Sequence, residues 1–280
     1  MPTFDTPEPI IAVIDLGAGD IRITASDRSD TVVEIRPTDG LDGTDTRAAE
    51  QALVECSRGR LFVKTPKSRL GSLFGWDGSV RVTIDLPTGS RVDAGTTGDL
   101  RCEGRLGQTT LRTVSGAIWL DRTGELRLNT ADGDITLARS AGHTEITTAN
   151  GDIRIGEIDG AAVVKTANGD ITVGEITGDL RLNTAHGDIT VGRALASVDA
   201  RTASGDIRID EAVRGSVTLE TSYGKLEVGV RKGTAAWLDV STPYGRLRNS
   251  LEAVDSPGPS DETLEVRART HYGDVVIRRS

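Results

Sequence analysis

The chain has 280 residues, a formal net charge of -9 and a pI near 5.0. This charge balance repels phosphate backbones and argues against nucleic acid as a partner. The two cysteines, Cys56 and Cys102, are too few for a disulfide framework in a chain of this length, so they predict a reducing compartment.

The first nine residues combine acidic residues and prolines without a basic start, which is not typical of a secretory signal. We expect residues 1–9 to be a disordered tail. No apolar run approaches the roughly 18 residues of a membrane span, so we expect no membrane span and a cytoplasmic protein. An extracytoplasmic location is the alternative if a leader has been removed.

A first repeat coil is predicted over residues 10–25, because the segment Gly19-Asp20-Ile21-Arg22-Ile23 recurs letter for letter at residues 151–155 and 205–209. Residues 26–95 then interrupt the repeat. Their pattern predicts strands over 31–36, 60–64 and 79–86, and a short helix over 45–56 with Asp45 as its N-cap. We expect this inserted block to cap one open end or side of the repeat.

Residues 96–280 carry the repeat, with an interrupting loop over 249–262. The pattern Thr-Ala-Xaa-Gly-Asp-Ile occurs at intervals of 18 residues, beginning at Thr130, Thr148, Thr166, Thr184 and Thr202. Two apolar residues with a polar residue between them follow each Gly-Asp pair, and a second alternating segment precedes it. Alternation of period two predicts strands, so each unit holds two strands joined at glycine-containing corners.

The constant period predicts an all-β fold in which equivalent residues stack one coil apart, about 4.8 Å, in parallel register. We therefore predict a single-chain parallel β-solenoid of about ten coils, with right-handed coiling. The repeated threonines are expected to form an internal ladder with paired hydroxyls. A three-sided cross-section, with a short third face at Ile158 and Ile176, is the alternative to two flat sheets.

Gly-Asp-hydrophobic units at this spacing, led by a strand that ends in Leu86-Pro87, resemble the bacterial β-strand-repeat proteins of domain of unknown function 4097, often labelled "putative adhesin". The resemblance covers roughly residues 10–280. It implies a β-solenoid fold with no established activity.

Two surfaces are candidate interaction sites. One is a basic and aromatic loop containing Lys67, Arg69, Phe74 and Trp76. The other is a change from small turn-forming residues to tyrosine in the column before the Gly-Asp pairs, which predicts an aromatic strip. Its members are Tyr223, Tyr244 and Tyr272.

Other candidates favour structural roles. A column of aspartates follows the corner glycines, and we interpret it as corner chemistry rather than as a calcium ladder, because its spacing differs from that of calcium-binding repeats. The column comprises Asp134, Asp152, Asp170, Asp188 and Asp206. The histidines are isolated in sequence, Cys102 lies at an inward position, and no nucleophile or phosphate-loop motif is present. We expect no catalytic residues, no metal and no cofactor.

Three functions remain open. The leading hypothesis is a non-enzymatic scaffold for protein–protein interaction with an unidentified protein partner. The second is self-association as a structural, cytoskeleton-like solenoid. The third, with less support, is a polysaccharide-binding or polysaccharide-active β-helix.

Overall fold

The computed structural model describes residues 1–65, 78–252 and 262–280. These residues divide into two compact units, Met1–Thr136 and Leu137–Ser280.

Unit 1 contains one short helix and two mainly parallel sheets. The helix, α1, spans Gly43–Glu50. The strands of unit 1 are β1 (Thr3–Asp5), β2 (Ile11–Asp15), β3 (Gly19–Ser26), β4 (Asp30–Pro37), β5 (Leu53–Ser57), β6 (Arg60–Lys64), β7 (Val80–Pro87), β8 (Arg91–Thr96), β9 (Leu100–Arg105), β10 (Thr109–Thr113), β11 (Ile118–Thr123) and β12 (Leu126–Asn129). The strand orders are β1-β4-β7-β3-β9-β11 and β12-β10-β8-β2-β6-β5.

The block over residues 26–95 does more than cap the repeat. Strands β6 and β7 pair in parallel with β2 and β3, so they form a further coil. Strand β4 then pairs antiparallel with β7, and β5 antiparallel with β6, at the outer edge. The predicted tail also takes part, because β1 pairs with β4 and the buried Thr6 and Thr31 hydroxyls lie 2.7 Å apart.

The helix prediction was wrong in its bounds and in its cap. The helix begins after Asp42, whose side chain accepts a hydrogen bond from the Thr44 backbone N–H, and it ends at Glu50. Asp45 instead lies inside the first turn and is buried. Its carboxylate accepts hydrogen bonds from the backbone N–H groups of Asp39 and Ser79, which ties the helix to the chain on both sides.

Unit 2 consists of two sheets of parallel strands. Its strands are β13 (Ile135–Ala141, which begins just before the unit boundary), β14 (Thr144–Thr147), β15 (Ile153–Asp159), β16 (Ala162–Lys165), β17 (Ile171–Ile176), β18 (Leu180–Asn183), β19 (Ile189–Ala194), β20 (Val198–Arg201), β21 (Ile207–Ala212), β22 (Gly215–Tyr223), β23 (Leu226–Val230), β24 (Thr234–Ser241), β25 (Leu247–Asn249), β26 (Glu262–Tyr272) and β27 (Val275–Arg279). The strand orders are β13-β15-β17-β19-β21-β23-β27-β25 and β14-β16-β18-β20-β22-β26-β24.

Residues 18 apart face each other across neighbouring strands. Ile153 pairs with Ile171 and Ile171 with Ile189 in one sheet, and Val164 pairs with Leu182 in the other. All of these side chains are buried, and the core of unit 2 lies between its two sheets. The predicted register and the alternation of buried and exposed residues are confirmed.

The inward threonines are buried, but their hydroxyls do not donate to one another as expected. Four of the five donate to the carbonyl of the residue two positions later, as Thr148 does to Asn150 at 3.1 Å and Thr166 to Asn168 at 3.1 Å. The fifth, Thr202, donates to the carbonyl of Gly187 in the preceding coil at 3.3 Å. The reason is geometric: the chain turns immediately after each threonine, which brings a backbone acceptor closer than the next hydroxyl. The buried threonine hydroxyls therefore stabilise the corner by hydrogen bonds to its backbone.

At the end of unit 2 the coils do not stack in chain order. Strand β26 lies between β22 and β24, and β27 lies between β23 and β25. The coil formed by residues 262–279 is thus inserted beneath the coil formed by residues 234–249. Unit 1 shows the same arrangement, because β2 lies between β6 and β8.

The fold is all-β, and successive coils stack with their strands in parallel, as expected for a solenoid. Ile158 and Ile176 extend the strands that hold Ile153 and Ile171, and they pair within the same sheet. The handedness and the total number of coils stay predictions.

Candidate interaction surface

The aspartate column has a structural task at the corners of unit 2. Four of its five carboxylates, those of Asp152, Asp170, Asp188 and Asp206, each accept a hydrogen bond from the backbone N–H of the equivalent residue one coil further on. The distances are 3.0 Å for Asp152 to Asp170, 2.8 Å for Asp170 to Asp188, and 2.7 Å for Asp188 to Asp206. The backbone N–H of Lys225 continues the series by donating to the Asp206 carboxylate at 2.7 Å. These carboxylates satisfy amides that the turn would otherwise leave without a partner.

These hydrogen bonds are of the kind that the corner interpretation predicts for the aspartates. In the parts of the chain that the structure describes, no group of three or more His, Cys, Asp or Glu side chains could hold a metal ion. Across the same residues no helix is long and apolar enough to cross a membrane.

The three tyrosines of the predicted strip do come together at one corner of unit 2. The rings of Tyr223 and Tyr272 are stacked with centroids 5.1 Å apart and planes within 3°, and those of Tyr272 and Tyr244 with centroids 4.9 Å apart and planes within 10°. We call these residues the tyrosine strip. Stacking in the order 223, 272, 244 follows from the insertion of β26, which no sequence pattern indicates.

The strip is exposed despite its stacking. The exposed fractions are 59% for Tyr223, 48% for Tyr272 and 67% for Tyr244, so the central ring is covered most. Each outer ring keeps one face without a stacked partner among the described residues, and all three present an edge to solvent.

The fold does not require aromatic residues in this column. The chain pairs Asn168 with His186, His186 with Ser204 and Ser204 with Tyr223 at equivalent corners, so small polar side chains serve the same turn in the coils before the strip. An exposed aromatic row therefore adds nothing that the turn needs.

A groove of about 590 Å³ runs beside the strip, across strands β20, β22 and β26. Its outer wall carries alternating charges, since Arg201 bridges to Glu220 at 3.5 Å. Arg269 bridges to Asp239 at 3.3 Å, and His271 lies next to the strip. The groove offers polar partners next to an apolar row, which is the composition of many protein interfaces.

The other predicted interaction element, Lys67, Arg69, Phe74 and Trp76, lies outside the described residues. Sequence reasoning missed two further aromatic features. Trp237 on β24 is 58% exposed, and the Arg101 guanidinium lies 4.7 Å from the ring centre of Trp119. Trp237 could have been noticed in the sequence, because tryptophan is rare on a polar strand face.

Two titratable groups are shifted by their surroundings. Hydrogen bonds from Lys225 and Arg278, at 2.6 and 2.9 Å, lower the pKa of Glu227 to about 2. Burial raises the pKa of the Cys102 thiol, which lies in the core as predicted and is unreactive there. Neither Glu227 nor Cys102 lines the groove beside the tyrosine strip.

Stacked parallel coils, glycine corners and an 18-residue register define a class of β-strand-repeat proteins. The chain belongs to the Toastrack family of domain of unknown function 4097, whose model matches residues 12–279. The predicted resemblance is thereby confirmed.

Similar solved structures cover nearly the whole chain at low identity. A "putative adhesin" from Bacteroides fragilis is 17% identical, with 99% of this chain and 96% of that chain covered and a TM-score of 0.35. A "putative cell adhesion protein" from Clostridium sporogenes is 13% identical, with 100% and 98% covered and a TM-score of 0.23. A "putative lipid binding protein" from Parabacteroides distasonis is 14% identical, with 100% and 95% covered and a TM-score of 0.36. No curated protein matches. At these TM-scores the similarities say nothing about what this chain binds.

Proposed function

We propose that this chain is a non-enzymatic scaffold for protein–protein interaction and that the tyrosine strip is its contact surface. The observation that carries the proposal is the stack of three exposed rings on a column where asparagine and serine serve the turn equally well. Tyrosine supplies contact area with few rotatable bonds, and a stacked row is already ordered before a partner arrives.

The charged wall of the groove supports a protein partner. Arginine and glutamate side chains that alternate along Arg201, Glu220 and Arg269 match polar and charged groups of either sign, as at the rim of an interface. Backbone amides donate to one oxygen of Asp152, Asp170, Asp188 and Asp206, which gives these carboxylates a structural role within the corner. The two cysteines are free, which supports the reducing, cytoplasmic location as part of this proposal.

The experiment compares the wild-type chain with a Tyr223→Asn, Tyr244→Asn, Tyr272→Asn triple variant. Asparagine stands at this corner in other coils, so we expect the variant to fold, as judged by its circular dichroism and unfolding midpoint. Each chain is immobilised, and proteins captured from the native host are identified and then purified. The purified partner should bind the variant at least tenfold more weakly.

The matched control is Val114→Thr, which changes a side chain of unit 1 that is 58% exposed. It should leave binding unchanged. A folded triple variant that binds the purified partner as tightly as wild type would refute the tyrosine strip as the contact surface.

Self-association is the second candidate, favoured by a different observation. The outer edges of β24 and β25 end their sheets, and among the described residues no strand pairs with them. An open edge of this kind pairs readily with another chain. A concentration series by light scattering distinguishes this candidate from a strictly monomeric scaffold.

A further inference from the structure

Among the residues that the structure describes, none covers the core side of the last coil of unit 2. We call the segment formed by β24, residues 242–246 and β25 the terminal coil. On β26, one coil inward, Val266 and Ala268 are fully buried, whereas their partners Leu238 and Val240 on the terminal coil are only half-buried.

The other sheet ends in the same way. Leu247 on β25 is 53% exposed, although its partner Val275 on β27 is fully buried. Two open strand edges therefore flank one strip of uncovered core. Burying such a strip is favourable by roughly 25 cal/mol per Å² of apolar surface.

An occupant of this end must supply two strands at the separation of the two sheets, with apolar side chains between them. The end of a second copy meets this requirement. Strands β24 and β25 lie in different sheets, as do their partners β26 and β27, which only Gly273 and Asp274 separate. Because so short a corner joins two sheets that enclose the core, we infer that the chain reverses direction between β24 and β25. A two-fold axis along the strands therefore sets β24 of one copy antiparallel to β25 of the other.

The charges on the terminal coil fit that pairing. When Val240 lies opposite the second copy's Leu247, the outward Asp239 lies opposite the second copy's Arg248. Both residues are on the surface, and Asp239 keeps its bridge to Arg269. The same contact occurs twice, as two-fold symmetry demands. The outer face of Tyr244 then meets the Tyr244 of the second copy, which extends the tyrosine strip.

We propose that two copies of this chain associate end to end through their terminal coils, with β24 of each paired to β25 of the other and Asp239 opposite Arg248. This inference does not rest on the tyrosine strip binding a partner. Joining the two ends pairs the open edges of both terminal coils at once, and a two-fold contact of this kind closes at two copies.

The test is charge reversal with rescue, read by sedimentation equilibrium of the full chain over a wide concentration range. Wild type should be a dimer. Asp239→Arg and Arg248→Asp should each raise the dimer dissociation constant at least tenfold, because each places like charges opposite each other at two sites. The double variant D239R/R248D should restore most of the affinity.

The control is Glu157→Arg, an exposed residue of β15 bridged to Arg139 at 3.2 Å, which should leave the dimer intact. A wild type that stays monomeric at the highest concentration would overturn the proposal, as would oligomers that keep growing beyond two copies. Single variants that weaken the dimer without rescue in the double variant would contradict the Asp239–Arg248 pairing. The dimer test changes only Asp239 and Arg248 and keeps all three tyrosines, so its outcome does not depend on whether the tyrosine strip binds a partner.

Discussion

The carboxylate of Asp188 accepts a hydrogen bond of 2.7 Å from the backbone N–H of Asp206, one coil further along unit 2. The Asp188 backbone N–H in turn donates to Asp170 at 2.8 Å. Each coil thus fixes the corner of the next through one side chain. This explains why aspartate follows the corner glycine so regularly: its short side chain reaches the adjacent amide, and its charge strengthens the bond.

Replacing Asp188 by alanine should lower the free energy of unfolding by about 1 kcal/mol, since the Asp206 amide loses a hydrogen bond to a charged acceptor at this exposed corner. Asp188→Asn keeps an acceptor oxygen and should cost less. Urea unfolding followed by circular dichroism measures both values. Equal stability of Asp188→Ala and wild type would mean that water replaces the carboxylate without loss.

Gly187 is needed at its corner for two reasons. Its φ is 141°, and a Cβ there would lie 2.2 Å from the carbonyl oxygen of Gly169 in the neighbouring coil. Gly187→Ala should therefore destabilise the chain by about 3 kcal/mol or more, because the coils would have to separate. Gly40→Ala is the matched control, since nothing lies within 4 Å of a Cβ there. Similar unfolding midpoints for the two variants would contradict the close approach.

The buried threonine column should depend on its hydroxyls. Thr184 donates to the His186 carbonyl at 3.2 Å, and Thr184→Val removes that donor while keeping the shape. We expect a loss of about 1 kcal/mol in the free energy of unfolding. Thr190→Val on the outer face of β19 should change stability by less than about 0.5 kcal/mol. Equal effects at the two positions would show that the corner hydrogen bond contributes nothing measurable.

Glu227 should make the free energy of unfolding depend on pH. Its folded pKa of about 2 lies below the ordinary value of 4.5, so its stabilisation is complete above pH 4.5 and is lost as the pH falls toward 2. Glu227→Gln should cost about 2 kcal/mol at pH 7 and much less near pH 2.5. Urea unfolding of both proteins at the two pH values measures the difference. A cost that is the same at both values would contradict the ionised pair with Lys225 and Arg278.

The period of 18 residues made the register of unit 2 predictable, because residues such as Ile153 and Ile171 need only equal spacing to stack. Exposed tyrosines at equivalent corners were also predictable, since Tyr223, Tyr244 and Tyr272 share one place in the repeat. These features follow from local alternation and constant coil length.

The order in which coils stack was not predictable. Periodicity states that β22, β24 and β26 are equivalent, but it does not say which two are neighbours. The insertion of β26 depends on long-range pairing, and it decides that Tyr272 rather than Tyr244 is the central ring. The helix N-cap was missed for a similar reason: Asp42 and Asp45 are both good caps by residue type, and the burial of Asp45 against Ser79 selects between them.

The central claim is that residues 18 apart lie directly over one another. Thr172 on β17 and Thr190 on β19 are paired on an outer face of unit 2, at a spacing of about 4.8 Å that a disulfide can bridge. In a Cys56→Ser background, Thr172→Cys with Thr190→Cys should form an intramolecular disulfide under mild oxidation, as measured by mass spectrometry of the non-reduced protein. Thr172→Cys with Arg208→Cys, two coils apart, should not. Absence of the first disulfide, or equal yields of both, would contradict the stacking on which the account depends.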